Sequence, residues 1–244
     1  MRRHLFGLVL VAMAGVGQAA VDIGSFPIPV HVENERQGVF VELTREIARR
    51  TRTDVALHVV PPRRALDNFA NQTFAGLFPA LDVSFEPGQK MLRTSEAIDC
   101  KEDFVFTVRG KPFLRTLADL RGKRVGITRG YPYAREVTDR PDFTLEMAAS
   151  DQANIEKLLA GRLDAFVLDE KTGLKAFDLL GALSQMQYQA GMPVSRQEVY
   201  YAFQATPEGR NLADTFSAAL REMKSDGRYQ AITRGITFID GCRS

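Results

Sequence analysis

The chain contains no tryptophan, only two cysteines and only three histidines in 244 residues. His4, His31 and His58 keep no metal-ligand spacing with Cys100 and Cys242, which argues against a Cys/His zinc site. Charge of one sign is missing as well. Thirty-two basic residues face 30 acidic ones, and without Arg2 and Arg3 there are 30 of each. A neutral chain has no electrostatic basis for binding DNA, RNA or an acidic membrane surface. No apolar run reaches the ~20 residues that a membrane-spanning helix needs. No repeat or low-complexity tract is visible, and nothing in the sequence requires a cofactor.

The first twenty residues carry the three parts of a secretory signal: a basic MRRH, the apolar run LFGLVLVAMAGVG, and a small-residue exit at Ala19-Ala20. Cleavage there gives an exported, soluble, periplasmic protein, and no cysteine follows the site to take a lipid anchor. In an oxidising compartment two cysteines suit a Cys100–Cys242 disulfide, with two free thiols as the alternative.

The hydrophobic pattern alternates between strand and helix. VDIGS (21–25) reads as a strand, GVFVELTREIARRTR as an amphipathic helix, 53–60 as a strand, 63–71 as a short helix and 74–83 as a strand. After the strand 104–108 and a helical turn at 117–121, a second series follows: strand 124–127, helix 132–138, strand 143–147, helix 152–160, strand 165–168 and helix 171–179. A strand at 199–203, a long helix at 208–223 and a helical stretch at 229–235 close the chain. Repeated βα steps imply parallel strands with crossover helices. The second series is inserted between two extended segments, which predicts two α/β lobes joined by two linker strands and facing each other across a cleft. The expected division is a signal peptide at 1–20, lobe 1 at 21–106 and 202–244, and lobe 2 at 107–201. A single copy suffices for such a cleft, so a monomer is expected.

Four stretches, GVFVELTREIARR, LADLRGKRVGITRGYPY, KLLAGRLDAFVLDE and ADTFSAALREMKSDGRYQAI, together with VVPPRRAL, carry a resemblance. The chain resembles the periplasmic solute-binding proteins of the amino-acid transporter type, bacterial extracellular solute-binding family 3, over essentially its whole mature length. The resemblance implies a two-lobed type II periplasmic binding fold, no catalysis, a small-molecule ligand and an inner-membrane ABC permease or sensor as partner. It also implies that a threonine at the position of Thr128 meets a ligand carboxylate and that an aspartate at the position of Asp169 takes an ammonium. Where the family has Ser-Ile-Thr-x-x-Arg, this chain reads Val83-Ser84-Phe85-Glu86-Pro87-Gly88-Gln89. The arginine that would clamp a carboxylate is missing, and neither Gln nor Gly replaces a guanidinium fork.

The turn Thr128-Arg129-Gly130-Tyr131, at a strand-to-helix junction, reads as an anion cradle built from backbone N–H groups or as an ordinary helix cap. It lacks the Gly-Lys-Ser/Thr ending of a phosphate loop. Asp169 reads as a ligand contact or as the cap of the next helix. Ser84, Arg64 and Phe26 complete the candidate ligand set from the first lobe. Two other functions share this scaffold: a non-transport accessory or sensor-partner protein, and a cyclohexadienyl dehydratase-like enzyme, for which Glu170 or Glu42 would supply the acid.

Overall fold

A computed structural model describes residues 19–28, 30–234 and 242; residues 1–18 of the expected signal peptide 1–20 and the stretch 235–241 lie outside the described residues. The elements in chain order are β1 (Val21–Ser25), α1 (Val39–Thr51), β2 (Val55–Val59), α2 (Pro62–Ala70), β3 (Gly76–Ala80), β4 (Met91–Arg93) and β5 (Asp99–Val108). They continue as β6 (Arg124–Thr128), α3 (Arg135–Thr138), β7 (Thr144–Ala148), α4 (Asp151–Leu159), β8 (Ala165–Asp169) and α5 (Glu170–Leu179). The chain then runs through β9 (Met186–Gln187), β10 (Ser195–Gln204), α6 (Pro207–Ser225) and α7 (Arg228–Ile232).

Strands follow the order β2-β1-β3-β10-β5-β8-β6-β7, with β4 on β10 and β9 on β5. At one end β1, β2 and β3 are parallel, and at the other β6, β7 and β8 are parallel. Two sets of cores match these two groups. Residues of 23–98 and 199–232 build one set, centred on Phe78, Tyr201, Phe203 and Phe216. Residues of 104–186 build the other, centred on Phe104, Phe106, Phe166 and Phe177. The structure is therefore α/β and two-lobed, with β5 and β10 passing between the lobes.

The helices form where the apolar spacing puts one stripe inward. In α1, Phe40, Val41, Leu43, Thr44 and Ile47 are buried. The helix starts after Gly38 (φ 122°), whose backbone conformation disfavours L side chains and where a Cβ would meet the His31 carbonyl at 2.4 Å. In α6, Ala213, Phe216, Leu220 and Met223 face the same core, and Thr206 caps the helix by accepting the Gly209 N–H at 3.0 Å. Arg50 joins the two helices. Its Nε donates to Glu46 at 2.8 Å, and its two Nη groups reach Glu222 at 3.2 Å and Asp226 at 2.7 Å.

The linker strands are longer than the pattern predicts. Residues 99–103 (DCKED) and 195–198 (SRQE) extend β5 and β10 and pair with each other. Their charges hide the strand signal because each is neutralised by a neighbour: Arg196 meets Glu102 at 2.7 Å, and Asp103 takes Lys101 and the Ser195 hydroxyl. Cys100 lies in this crossing and forms the disulfide to Cys242. Closing a loop of 142 residues stabilises the fold by about 4–5 kcal/mol on the chain-entropy model.

Glu46 is buried, and hydrogen bonds from Arg49, opposed by burial and reinforced by Arg50, lower its pKa from 4.5 to about 2. A folded-state pKa below the unfolded value contributes stability above pH 4.5 that is lost as pH falls toward 2. We expect Glu46→Gln to destabilise the protein by about 2 kcal/mol at neutral pH, measured by urea unfolding. Its loss of stability between pH 4.5 and 2 should be shallower than that of the parent.

Candidate functional site

Strand register gathers the site. The crossing pairs Asp99–Asp103 of β5 with Ser195–Val199 of β10. Beyond it, β5 runs antiparallel to β8, with Asp103 opposite Asp169, and β10 runs antiparallel to β3, with Tyr200 opposite Ala80. The last residue of β8 and the last residue of β3 therefore abut opposite ends of one five-residue ladder. Their parallel neighbours β1, β2, β6 and β7 end at the same level, and ligands of open α/β sheets bind outside such carboxyl ends.

The second-lobe edge is built on Thr128. Its hydroxyl donates to Asp151 Oδ1 at 2.6 Å and accepts from Asn154 Nδ2 at 3.0 Å. Its N–H donates to the Tyr133 phenol oxygen at 3.0 Å, and that phenol donates to the Val167 carbonyl at 3.0 Å. The Arg129 N–H goes to the Ala148 carbonyl and the Tyr131 N–H to the Thr128 carbonyl. The Gly130 N–H (φ 82°) has no partner among the described residues.

The anion cradle expected here is thus largely occupied. The helix expected over 132–138 is a single turn, Arg135–Thr138, because Pro132 and Tyr133 continue the loop so that Tyr133 can fold under it. A turn that short projects little dipole. The charge at this edge is negative instead: Asp151 also accepts the Tyr131 hydroxyl at 2.9 Å. Burial first, then Asp151 and Asp169, raises the Tyr131 pKa and holds the phenol protonated. Tyr131 is 38% exposed, and the Arg129 side chain points to solvent.

Asp169 caps α5. Its Oδ1 accepts the Thr172 N–H at 3.0 Å and the Thr172 hydroxyl at 3.1 Å, and its Oδ2 has no partner among the described residues. The cap reading of this residue is therefore observed in one oxygen, Oδ1. Burial first, then the neighbouring Glu170 carboxylate, pushes the Tyr188 phenol up to about 12. Glu42 is exposed in the first turn of α1.

On the first-lobe edge, Ser84 ends a one-turn 3-10 helix (Asp82–Ser84) directly after β3. Arg64 is exposed near the start of α2 with no ion pair among the described residues, and Phe26, just past β1, packs half-buried on the cluster that includes Phe69, Ala80 and Tyr200. Sequence reasoning passed over Asp82, Arg93 and Tyr200 as a group. The Tyr200 hydroxyl donates to Asp82, and the Arg93 guanidinium lies 3.4 Å from Asp82, 3.5 Å from Glu198 and 5.1 Å over the Tyr200 ring. Only the pairing of β4 with β10, Arg93 opposite Ala202, brings these together. Asp151 was missed as well, because Ser150-Asp151 looks like an ordinary helix start. Its signal was its place directly after the carboxyl end of β7.

No protein-family model matches the chain. It is 22% identical over 241 residues to the histidine-binding periplasmic protein of Salmonella typhimurium, covering 94% of this chain and 91% of the relative. The similarity to periplasmic amino-acid-binding proteins thus extends along most of the chain at low identity. Solved structures share the fold. A histidine kinase sensor domain with similarity to periplasmic binding proteins matches with a TM-score of 0.72 at 19% identity, over 91% of this chain and 98% of the other. The probable amino-acid ABC transporter extracellular-binding protein ytmK of Bacillus subtilis matches with a TM-score of 0.68 at 19% identity, over 88% and 96%. Among the described residues no helix is long and apolar enough to cross a membrane.

Because Thr128 satisfies both Asp151 and Asn154, we expect Thr128→Val to cost about 2 kcal/mol in urea unfolding. Thr128→Ser, which keeps the hydroxyl, should stay within about 1 kcal/mol of the parent.

Proposed function

We propose that this protein is a periplasmic solute-binding protein that captures a small polar solute, an amino acid or related compound bearing a cationic group, and delivers it to an ABC permease. The observation that carries this reading is the pair of carboxylates, Asp151 and Asp169, at the carboxyl edge of the second lobe. Asp151 is oriented by two hydroxyl donors, and Asp169 keeps one oxygen free. A fixed carboxylate with a spare lone pair is suited to an ammonium or guanidinium, since charge-assisted hydrogen bonds are roughly twice as strong as neutral ones.

In this reading Tyr131 and the Gly130 N–H contact the ligand beside the carboxylates, and Arg129 sits at the rim. Ser84 and Arg64 meet its acceptor end from the first lobe, and Phe26 supplies apolar contact. The lobes, 21–106 with 202–244 and 107–201, close over the solute by bending at the crossing, a known mode for two-lobed binding proteins. The relatives' names support this: one is histidine-binding and another is tied to amino-acid transport. The same reading makes the protein a binder and not an enzyme.

A thermal-shift and calorimetric panel of basic, neutral and acidic amino acids, amines and sugar acids tests the proposal. A basic amino acid at a hundredfold excess over its Kd should stabilise the protein by about 2.7 kcal/mol. Asp169→Asn should weaken that ligand about 10- to 100-fold, as expected for loss of one charge-assisted hydrogen bond. Unchanged affinity in both Asp169→Asn and Asp151→Asn would remove the assignment, and turnover of prephenate would replace binding with catalysis.

A further inference from the structure

A second site lies away from the crossing, on the outer side of the first lobe. A depression of about 580 Å³ runs between the C-terminal half of α1 and strand β2. Its floor is apolar, from Ala48, Val55 and Leu57, and its rim carries Arg36, Arg45 and Arg52. β2 is the terminal strand of the sheet, so one side of its backbone faces the depression instead of another strand.

The register shows which groups those are. The Asp54 carbonyl and the Val60 N–H point toward β1, where they bond Val21 and Ser25. Backbone direction alternates along a strand, so Val55, Leu57 and Val59 direct their N–H and C=O groups outward. The Val59 N–H is taken by Glu35, whose Oε1 accepts it at 3.2 Å. A carboxylate of the chain itself thus occupies one position on this edge, at the end of the arginine-rimmed depression.

Three arginines, Arg36, Arg45 and Arg52, outnumber the two acids that line the same depression, Glu35 and Asp54. Arg45 donates to the carbonyls of Arg36 and Glu35 at 3.1 and 3.2 Å, which orients its guanidinium without neutralising it. Arg36 and Arg52 make no direct ion pair among the described residues, whereas Arg49 is held by Glu46 and contributes little free charge. We propose that the free edge of β2 receives an extended acidic segment of a partner protein as an additional strand, with its carboxylates held by Arg36, Arg45 and Arg52. Main-chain bonds supply affinity in this mode and side chains supply selectivity. A second copy of this chain is disfavoured as the occupant, since edge-to-edge pairing would set one arginine rim against another.

The test is fluorescence anisotropy of the mature protein with a fluorescein-labelled peptide alternating glutamate and valine. Binding is expected, weakening as salt rises. The pair Arg36→Glu and Arg52→Glu should weaken it about tenfold or more, equivalent to about 1.4 kcal/mol, while Arg210→Glu on the exposed start of α6 should not. Leu57→Pro removes an outward N–H that bonds nothing among the described residues and should abolish peptide binding. Glu35→Ala frees the Val59 N–H and should tighten binding several-fold, a gain that a merely structural role would not produce. Full binding by a folded Leu57→Pro protein, or equal loss in Arg210→Glu, overturns the proposal. So does displacement of the peptide by citrate that leaves Leu57→Pro unaffected, which would make this a small-anion site. A dimer in sedimentation that Leu57→Pro dissolves would make a second copy the occupant and overturn it too.

Discussion

The short antiparallel ladder between β5 and β10 is the constraint on which the rest of this structure depends. Five residue pairs, from Ser195 opposite Asp103 to Val199 opposite Asp99, fix how far each linker strand travels before it joins its own lobe. Asp103 is fully buried at the lobe-2 end of that ladder, where Lys101 and Ser195 satisfy it. A buried carboxylate stripped of such partners would cost several kcal/mol, so this end of the crossing has little freedom to slip. A one-residue slip would also turn every side chain of the strand to the opposite face. Once the ladder is set, the ends of β3 and β8 can only lie beside it.

Other contacts tie the second lobe to the same place. Lys171, on α5, reaches Asp99 at 3.1 Å, Gln197 donates to the Pro132 carbonyl at 2.8 Å, and the Lys101 ammonium lies 5.4 Å over the Tyr133 ring. Tyr133 is the residue whose phenol supports the Thr128 turn. The charge pattern of the crossing and the shape of the candidate site are therefore mechanically continuous. A change at Lys101 acts on the ring beneath Thr128, and one at Gln197 acts on the loop that follows it.

Much of the fold was legible because its signals are local. Apolar spacing marked α1 and α6, alternation marked β2, and the two extended segments marked the linkers. The parts that were not legible depend on partners distant in sequence. Residues 99–103 do not read as a strand, since Lys101, Glu102 and Asp103 look like a solvated run until Ser195 and Arg196 pair with them. β4 is three residues long and gains its place only from β10. The Thr128 turn reads from the sequence as an anion cradle or a helix cap, and neither reading shows the partner of its hydroxyl. A strand, a threonine and a glycine look the same whether the hydroxyl is offered outward or spent on Asp151, 23 residues away.

The same distinction bears on the missing clamp. The sequence has Gly88 or Gln89 where the resemblance would place an arginine, yet the structure brings a guanidinium to the same edge by another route. Arg93 stands on β4, next to the 3-10 turn that carries Ser84, and meets Asp82, Glu198 and the Tyr200 ring at once. Two carboxylates at 3.4 and 3.5 Å leave it more than neutralised, so it cannot serve as an uncommitted anion receptor. Arg64, exposed on α2, has no ion pair among the described residues. Among the candidate residues, the second-lobe edge supplies the carboxylates of Asp151 and Asp169, while Arg64 and Arg129 are exposed guanidinium groups with no ion pair among the described residues. In the proposed site the fixed carboxylates are the groups that would select the cationic end of a solute, the reverse of a cleft organised around a buried arginine fork.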